Sequence, residues 1–293
     1  MCSSRAARRA SSRRQRVTPA RYGTVLAPGK LVLLGEYAVL DGGAALVAAI
    51  DRGVRCVVTE GDGITTPGDD RFVRAALAGA PAAAYSFSDA RPVQGLATKP
   101  GFGGSAAATV AAVVARDGSM ADALAVHRAV QGGGSGIDVR ASWLGGVRTE
   151  AGVGVRAPAL IAIWSGRSAS TGPRVERYRA WADEGARARF LSRSGGALAA
   201  FATEPLAAIR EAYANLCEMA AAAGLDYDLP AFRRIAALAD AHGGAAKPSG
   251  AGGGDVAVGV FPDAEAAAAF GRACEAEGFV AIEVGVATAA GWV

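Results

Sequence analysis

Only three of the 31 lysine and arginine residues are lysines: Lys30, Lys99 and Lys247. Each stands in or beside a glycine-rich segment, reading APGKLVLLGE, TKPGFGGSAA and AAKPSGAGGGD. Arginine carries positive charge everywhere else. Lysine offers a compact ammonium that can sit as a point charge among phosphate oxygens. Glycine lets backbone N–H groups approach an anion closely. Three scarce ammoniums beside three glycine loops point to chemistry on phosphates.

The second loop, Gly101-Phe-Gly-Gly-Ser-Ala-Ala107, runs into an alanine-rich stretch that predicts a helix over 105–116. The first N–H groups of such a helix face an anion with the helix dipole behind them. The Ser105 hydroxyl can donate to a phosphate or ligate Mg2+. The first loop is not a Walker A loop, because Leu31 follows Gly29-Lys30 and Thr24 stands where the first glycine belongs. Gly101, Gly103 and Ala106 match a dinucleotide fingerprint, but the preceding 96–100 is polar and ends in Pro100, so the strand that must lead into it is missing. Between these loops, Gly132-Gly-Gly-Ser-Gly-Ile-Asp138 sets one carboxylate directly after a flexible turn. Asp138 is a candidate catalytic group or simply a turn residue. Lys247 to Asp255 reads as a third anion loop or as a hairpin connection.

The elements around these loops are mixed. Residues 22–34 and 44–60 are β-like, the first broken at Ala27-Pro28-Gly29 and the second turning at Arg52-Gly53. Residues 61–95 are polar and turn-rich. Helical patterns cover 105–116 and 121–130, and Leu160 to Trp164 is a buried strand. Helices dominate 172–243, with breaks at Gly195-Gly196 and Leu229-Pro230. A strand, helix and strand over 256–286 close an α+β second half.

With 293 residues, 51% of them hydrophobic, the chain can bury a core of one large or two ordinary domains. The net charge of +4 is misleading. Residues 1–21 carry seven arginines and no acid, and without them 24 basic residues face 27 acidic ones. No nucleic-acid face is indicated on the body. The segment has the composition of an organelle transit peptide or, the favoured reading, of an unfolded extension. No stretch is long and apolar enough for a membrane span. Four dispersed cysteines fit a reducing, cytosolic compartment, and two histidines exclude a His-rich metal centre.

Together the three loops resemble the GHMP kinase superfamily. APGKLVLLGEYAVLDGGAAL resembles its N-terminal motif, KPGFGGSAAATVAA its nucleotide loop, and KPSGAGGGDVAVGV its C-terminal motif. GEYAVL, HRAVQGGGSGIDV, WSGRSAST and KPSGAGGGD point within it to the phosphomevalonate kinase branch. The resemblance implies an α+β two-domain fold. Residues 22–157 would form a domain like ribosomal protein S5, and 158–293 a ferredoxin-like one. It implies ATP and Mg2+ as cofactors and a small phosphorylated acceptor as partner, in a monomer or homodimer. Lys30 and Asp138 would be catalytic. Lys99, Gly101, Gly103, Gly104, Ser105, Ala106 and Ala107 would bind ATP, and Ser105 the metal. Glu36, Tyr37, Gln131, Ser135, Gly136, Ser168, Ser170, Thr171, Lys247, Ser249, Gly250 and Gly252 would contact the acceptor. Two departures stand out: Gly104 replaces a usual serine, and His127 stands where mevalonate kinases carry a metal-binding glutamate. Mevalonate kinase, diphosphomevalonate decarboxylase and a catalytically silent GHMP-fold binder remain as alternatives.

Overall fold

The structure, a computed structural model, describes residues 20–96, 99–149 and 151–293. All but the last two residues of the basic segment expected to be unfolded lie outside the described residues. The chain opens with β1 (Gly23–Leu34), β2 (Leu46–Thr59), β3 (Gly63–Thr65), α1 (Arg71–Ala76) and β4 (Ala84–Asp89). Next come α2 (Gly104–Ala115), α3 (Met120–Gln131), α4 (Ile137–Leu144) and the short pair β5 (Val147–Thr149) and β6 (Gly154–Val155). These strands form one sheet. β1, β2 and β4 pair antiparallel, while β3 lies parallel to β4 across the crossover through α1.

The chain then builds β7 (Ala159–Trp164), α5 (Thr171–Ala180), α6 (Glu184–Ala200), α7 (Pro205–Ala223) and α8 (Pro230–Ala241). It closes with β8 (Ala245–Pro248), β9 (Val256–Phe261), α9 (Ala264–Ala276), β10 (Val280–Glu283) and β11 (Gly291–Trp292). The second sheet has the antiparallel order β10-β7-β9-β8, that of a ferredoxin-like unit. All six residues of β9 are buried, because both sheet faces are covered. Leu160, Ala162 and Trp164 face the helices α6 and α7, whereas Ile161 and Ile163 face α8 and α9. The first of these clusters also holds Leu31, Leu33 and Leu46, so one core runs through both sheets. Strand β11 returns to pair with β1, which the expected division at 157/158 does not foresee. Among the described residues, no helix is long and apolar enough to cross a membrane.

Three expected breaks are absent. Arg52-Gly53 does not turn, and β2 runs through it; β1 likewise passes Pro28 as a bulge. A side chain at Gly53 would lie 2.0 Å from the Ala27 carbonyl oxygen, and one at Gly29 2.1 Å from that of Arg52. The glycines mark a close crossing of two strands rather than a loop. Gly195 and Gly196 sit inside α6, with open space where their side chains would be. Packing of α6 on α7 carries the helix through them.

A buried ion pair also joins the sheets. The sequence reading places Lys247 against the acceptor, but its side chain is fully buried in β8 and its ammonium is bonded to Glu36 Oε1, just beyond β1. Burial pushes the Lys247 pKa down, and the Glu36 carboxylate opposes that shift. Removing one partner strands the other charge. Lys247→Met is expected to cost about 3–5 kcal/mol in urea unfolding, with partial recovery in Lys247→Met/Glu36→Gln. Unchanged stability in the single variant would contradict this placement.

Candidate active site

The crossing of β1 and β2 sets Lys30. Its backbone N–H donates to the Phe102 carbonyl at 2.9 Å, and a side chain at Gly29 would lie 2.9 Å from that same oxygen. The first glycine segment is thereby seated on the second. The Lys30 side chain is only 11% exposed, and its Nζ lies 3.8 Å from Asp138 Oδ2. Asp138 stands in the first turn of α4, where the positive end of the helix favours its negative charge. Gly103 closes the arrangement. It adopts the left-handed φ of +74°, and a side chain there would meet Lys30 Cγ at 3.0 Å and Asp138 Oδ2 at 3.6 Å.

Gly103 is also the N-cap of α2, so no side chain closes that helix end. Gly104 and Ser105 are exposed there, while Ala106 and Ala107 are buried on the inner face. The Ser105 hydroxyl lies 3.4 Å from Nε2 of His127, a buried ring packed against Phe72. Burial pushes His127 below its ordinary pKa, with Asp138 opposing, so the ring is neutral near pH 7. Gly101, at φ +85°, packs on Asp255, whose Oδ2 lies 2.8 Å from where a side chain would begin. Asp255 Oδ1 in turn accepts the Ala169 N–H. Lys99 is not brought to this centre. Its ammonium lies beside Gly68, in the loop before α1.

An open cavity of about 430 Å³ adjoins Lys30 and Asp138. Of the residues expected at the acceptor, Glu36, Tyr37, Gln131, Ser135, Gly136, Thr171 and Gly250 line it. Tyr37 holds a left-handed φ of +60° and donates its hydroxyl to the Ala251 carbonyl at 2.6 Å. Glu36 Oε1 takes Lys247, while its buried Oε2 has no partner among the described residues.

The others expected at the acceptor do not line the cavity. Ser249 Oγ accepts the Val32 N–H, and Gly252 is pressed against the Tyr227 ring. Ser170 is the N-cap of α5, and the Ser168 backbone lies against Gly254. Arg167 is tied to Gly253 and Asp226, holding the third loop rather than facing the cavity.

Of the face of α5 the sequence reading names only Thr171. Thr171, Gly172, Val175, Glu176 and Arg179 all line the cavity, at the spacing of one helical stripe. That periodicity was available in the sequence, but the stripe is polar and does not read as a core face. The N-caps of α2, α4 and α5 (Gly103, Gly136 and Ser170) make no side-chain capping bond. The starts of α4 and α5 thus line the cavity and that of α2 adjoins Lys30 at Gly103, an arrangement that favours anions.

No family model matches the chain. It is 28% identical to the phosphomevalonate kinase of Streptomyces sp. (strain CL190), over 82% of this chain and 90% of that protein. Among solved structures it is similar to the Lin0012 protein of Listeria innocua, with TM-score 0.79, 23% identity and 90% of this chain and 97% of that one covered. It is also similar to the Streptococcus pneumoniae phosphomevalonate kinase in complex with phosphomevalonate and AMPPNP, with TM-score 0.71, 18% identity and coverage of 90% and 99%. The chain has the two-domain α+β fold of the GHMP kinases, and it resembles phosphomevalonate kinase in sequence.

Proposed function

We propose that the chain is an ATP-dependent kinase that transfers a phosphoryl group to the phosphate of phosphomevalonate, giving diphosphomevalonate. The observation that carries this reading is the meeting of Lys30, beside the start of α2, with a cavity lined by the starts of α4 and α5. A phosphate monoester has a second pKa of about 6 and is already a nucleophile at neutral pH. Its difficulty is repulsion from the nucleotide. Fixed N–H groups and cations relieve that repulsion, and such positioning dominates phosphoryl transfer.

In this reading the free N–H groups of Gly104 and Ser105 hold the nucleotide phosphates. Lys30 lies between donor and acceptor, and Asp138 orients its ammonium. The residues also fit Mg2+ carried in on the nucleotide. Ser105 offers a hard oxygen donor, His127 is too soft to replace the absent glutamate, and phosphates and water complete such shells. The ion supplies charge neutralisation on the nucleotide phosphates.

The nucleotide half is tested by Gly103→Val and Ser105→Ala. Valine needs the space now held by Lys30 Cγ, at 3.0 Å, and a left-handed backbone. Gly103→Val is expected to abolish binding of a non-hydrolysable ATP analogue by calorimetry, and Ser105→Ala to weaken it. Unaltered affinity in Gly103→Val would remove this loop from the site.

A coupled ADP-release assay with mevalonate, phosphomevalonate, homoserine and galactose tests the acceptor. Phosphomevalonate is expected to give the highest kcat/KM, and preference for an alcohol acceptor would refute the reading. With phosphomevalonate, Lys30→Met should lower kcat by about 10²–10³-fold, as loss of a charge-stabilising donor does. Asp138→Asn should lower it less, because no proton must leave the acceptor. An inactive Asp138→Asn beside a largely active Lys30→Met would instead indicate a base acting on a hydroxyl.

A further inference from the structure

Helix α5 forms one wall of the cavity, and its two ends are fixed differently. Its start is tied to the reactive centre, because Ala169 donates to Asp255 Oδ1 at 3.1 Å and Asp255 packs on Gly101. Its last turn is tied to the far end, because the Tyr178 hydroxyl donates to Asp41 at 2.8 Å and the Tyr178 ring lies 5.1 Å from that of Tyr37. From Thr171 to Arg179 the helix rises about 12 Å. Arg179 therefore stands at the end of the cavity remote from the phosphate loops, next to Tyr178 and its contact with Asp41. Its guanidinium is exposed and has no ion-pair or hydrogen-bond partner among the described residues.

Arginines near this region that have structural work are tied down. Arg167 and Arg174 hold Gly253, Arg177 caps the Gly224 carbonyl, and Arg187 bridges Asp41 and Tyr178. Arg179 has no such partner among the described residues and lines the cavity. Val175 gives the stripe an apolar stretch, and Glu176 lies one turn nearer the reactive end. A carboxylate placed midway along the wall would meet Glu176, so the wall accepts an anion only beyond it.

We propose that Arg179 is a specificity-determining residue that binds the carboxylate at the far end of the acceptor, making α5 a gauge for molecules anionic at both ends. This rests on the reading of the acceptor as phosphomevalonate, whose phosphate occupies the Lys30 end. An Arg–carboxylate contact is commonly bidentate, so it fixes orientation as well as affinity.

The test crosses two enzymes with two acceptors. Wild type and Arg179→Gln are each assayed with phosphomevalonate and with its carboxamide, which keeps the shape and loses the far charge. Arg179→Gln is expected to raise KM for the acid about 10–100-fold, the worth of a charged hydrogen bond. It should leave kcat, the KM for ATP and the KM for the carboxamide within about twofold. Arg179→Lys should recover part of the loss. An equal rise for acid and carboxamide, or no rise for either, overturns the proposal while phosphomevalonate turnover by wild type still stands. If wild type itself ignores phosphomevalonate, the acceptor reading fails, and this proposal fails with it.

Discussion

The hydrogen bond from the Lys30 N–H to the Phe102 carbonyl is the contact on which the rest of the site depends. It exists because Gly29 and Gly53 carry no side chains where β1 and β2 cross, and because Gly29 leaves the Phe102 carbonyl room to approach. From that one contact follow the depth of the Lys30 ammonium, its approach to Asp138, and its position under the first turn of α2. Gly103 completes the geometry from the other side. Neither glycine loop is a site alone; the strand crossing makes them one.

The electrostatics follow from that geometry. The starts of α4 and α5 line the cavity, that of α2 adjoins Lys30, and Lys30 adds a full charge. Three carboxylates line the cavity, Glu36, Asp138 and Glu176, and the first two are restrained. Asp138 is engaged with Lys30 at 3.8 Å, and Glu36 is neutralised from behind by the buried Lys247. The cavity therefore favours an anion at its Lys30 end. Burial of Lys247 costs solvation, which Glu36 offsets, so the pair joins the two sheets without exposing a further cation to the ligand.

Much of this was legible in the sequence where glycine was scarce in its alternatives. Gly101, Gly103, Gly250 and Gly252 all take left-handed φ values, and the loops they form are among those the lysine pattern marks. The second sheet follows from the apolar runs at 160–164 and 256–261. Other features were hidden because they are tertiary. Gly53 looks like a turn until its neighbour across the strand is known. Lys247 looks like a phosphate ligand until Glu36 is found opposite it. Lys99 shares the glycine-rich context of Lys30, yet its ammonium lies beside Gly68. Arg179 is one arginine among 28 on sequence alone, and only its unpaired place on the cavity wall distinguishes it.

The central claim is that the acceptor enters as a phosphate dianion and that the protein supplies cations rather than a base. The most direct measurement is the pH dependence of kcat/KM for phosphomevalonate and for its phosphonate analogue, whose second pKa is higher. The account predicts a limb that rises through the acceptor's own second pKa, about 6 for the ester, and moves upward with the phosphonate. A limb fixed at one pH for both acceptors would belong to a protein base and would contradict the account.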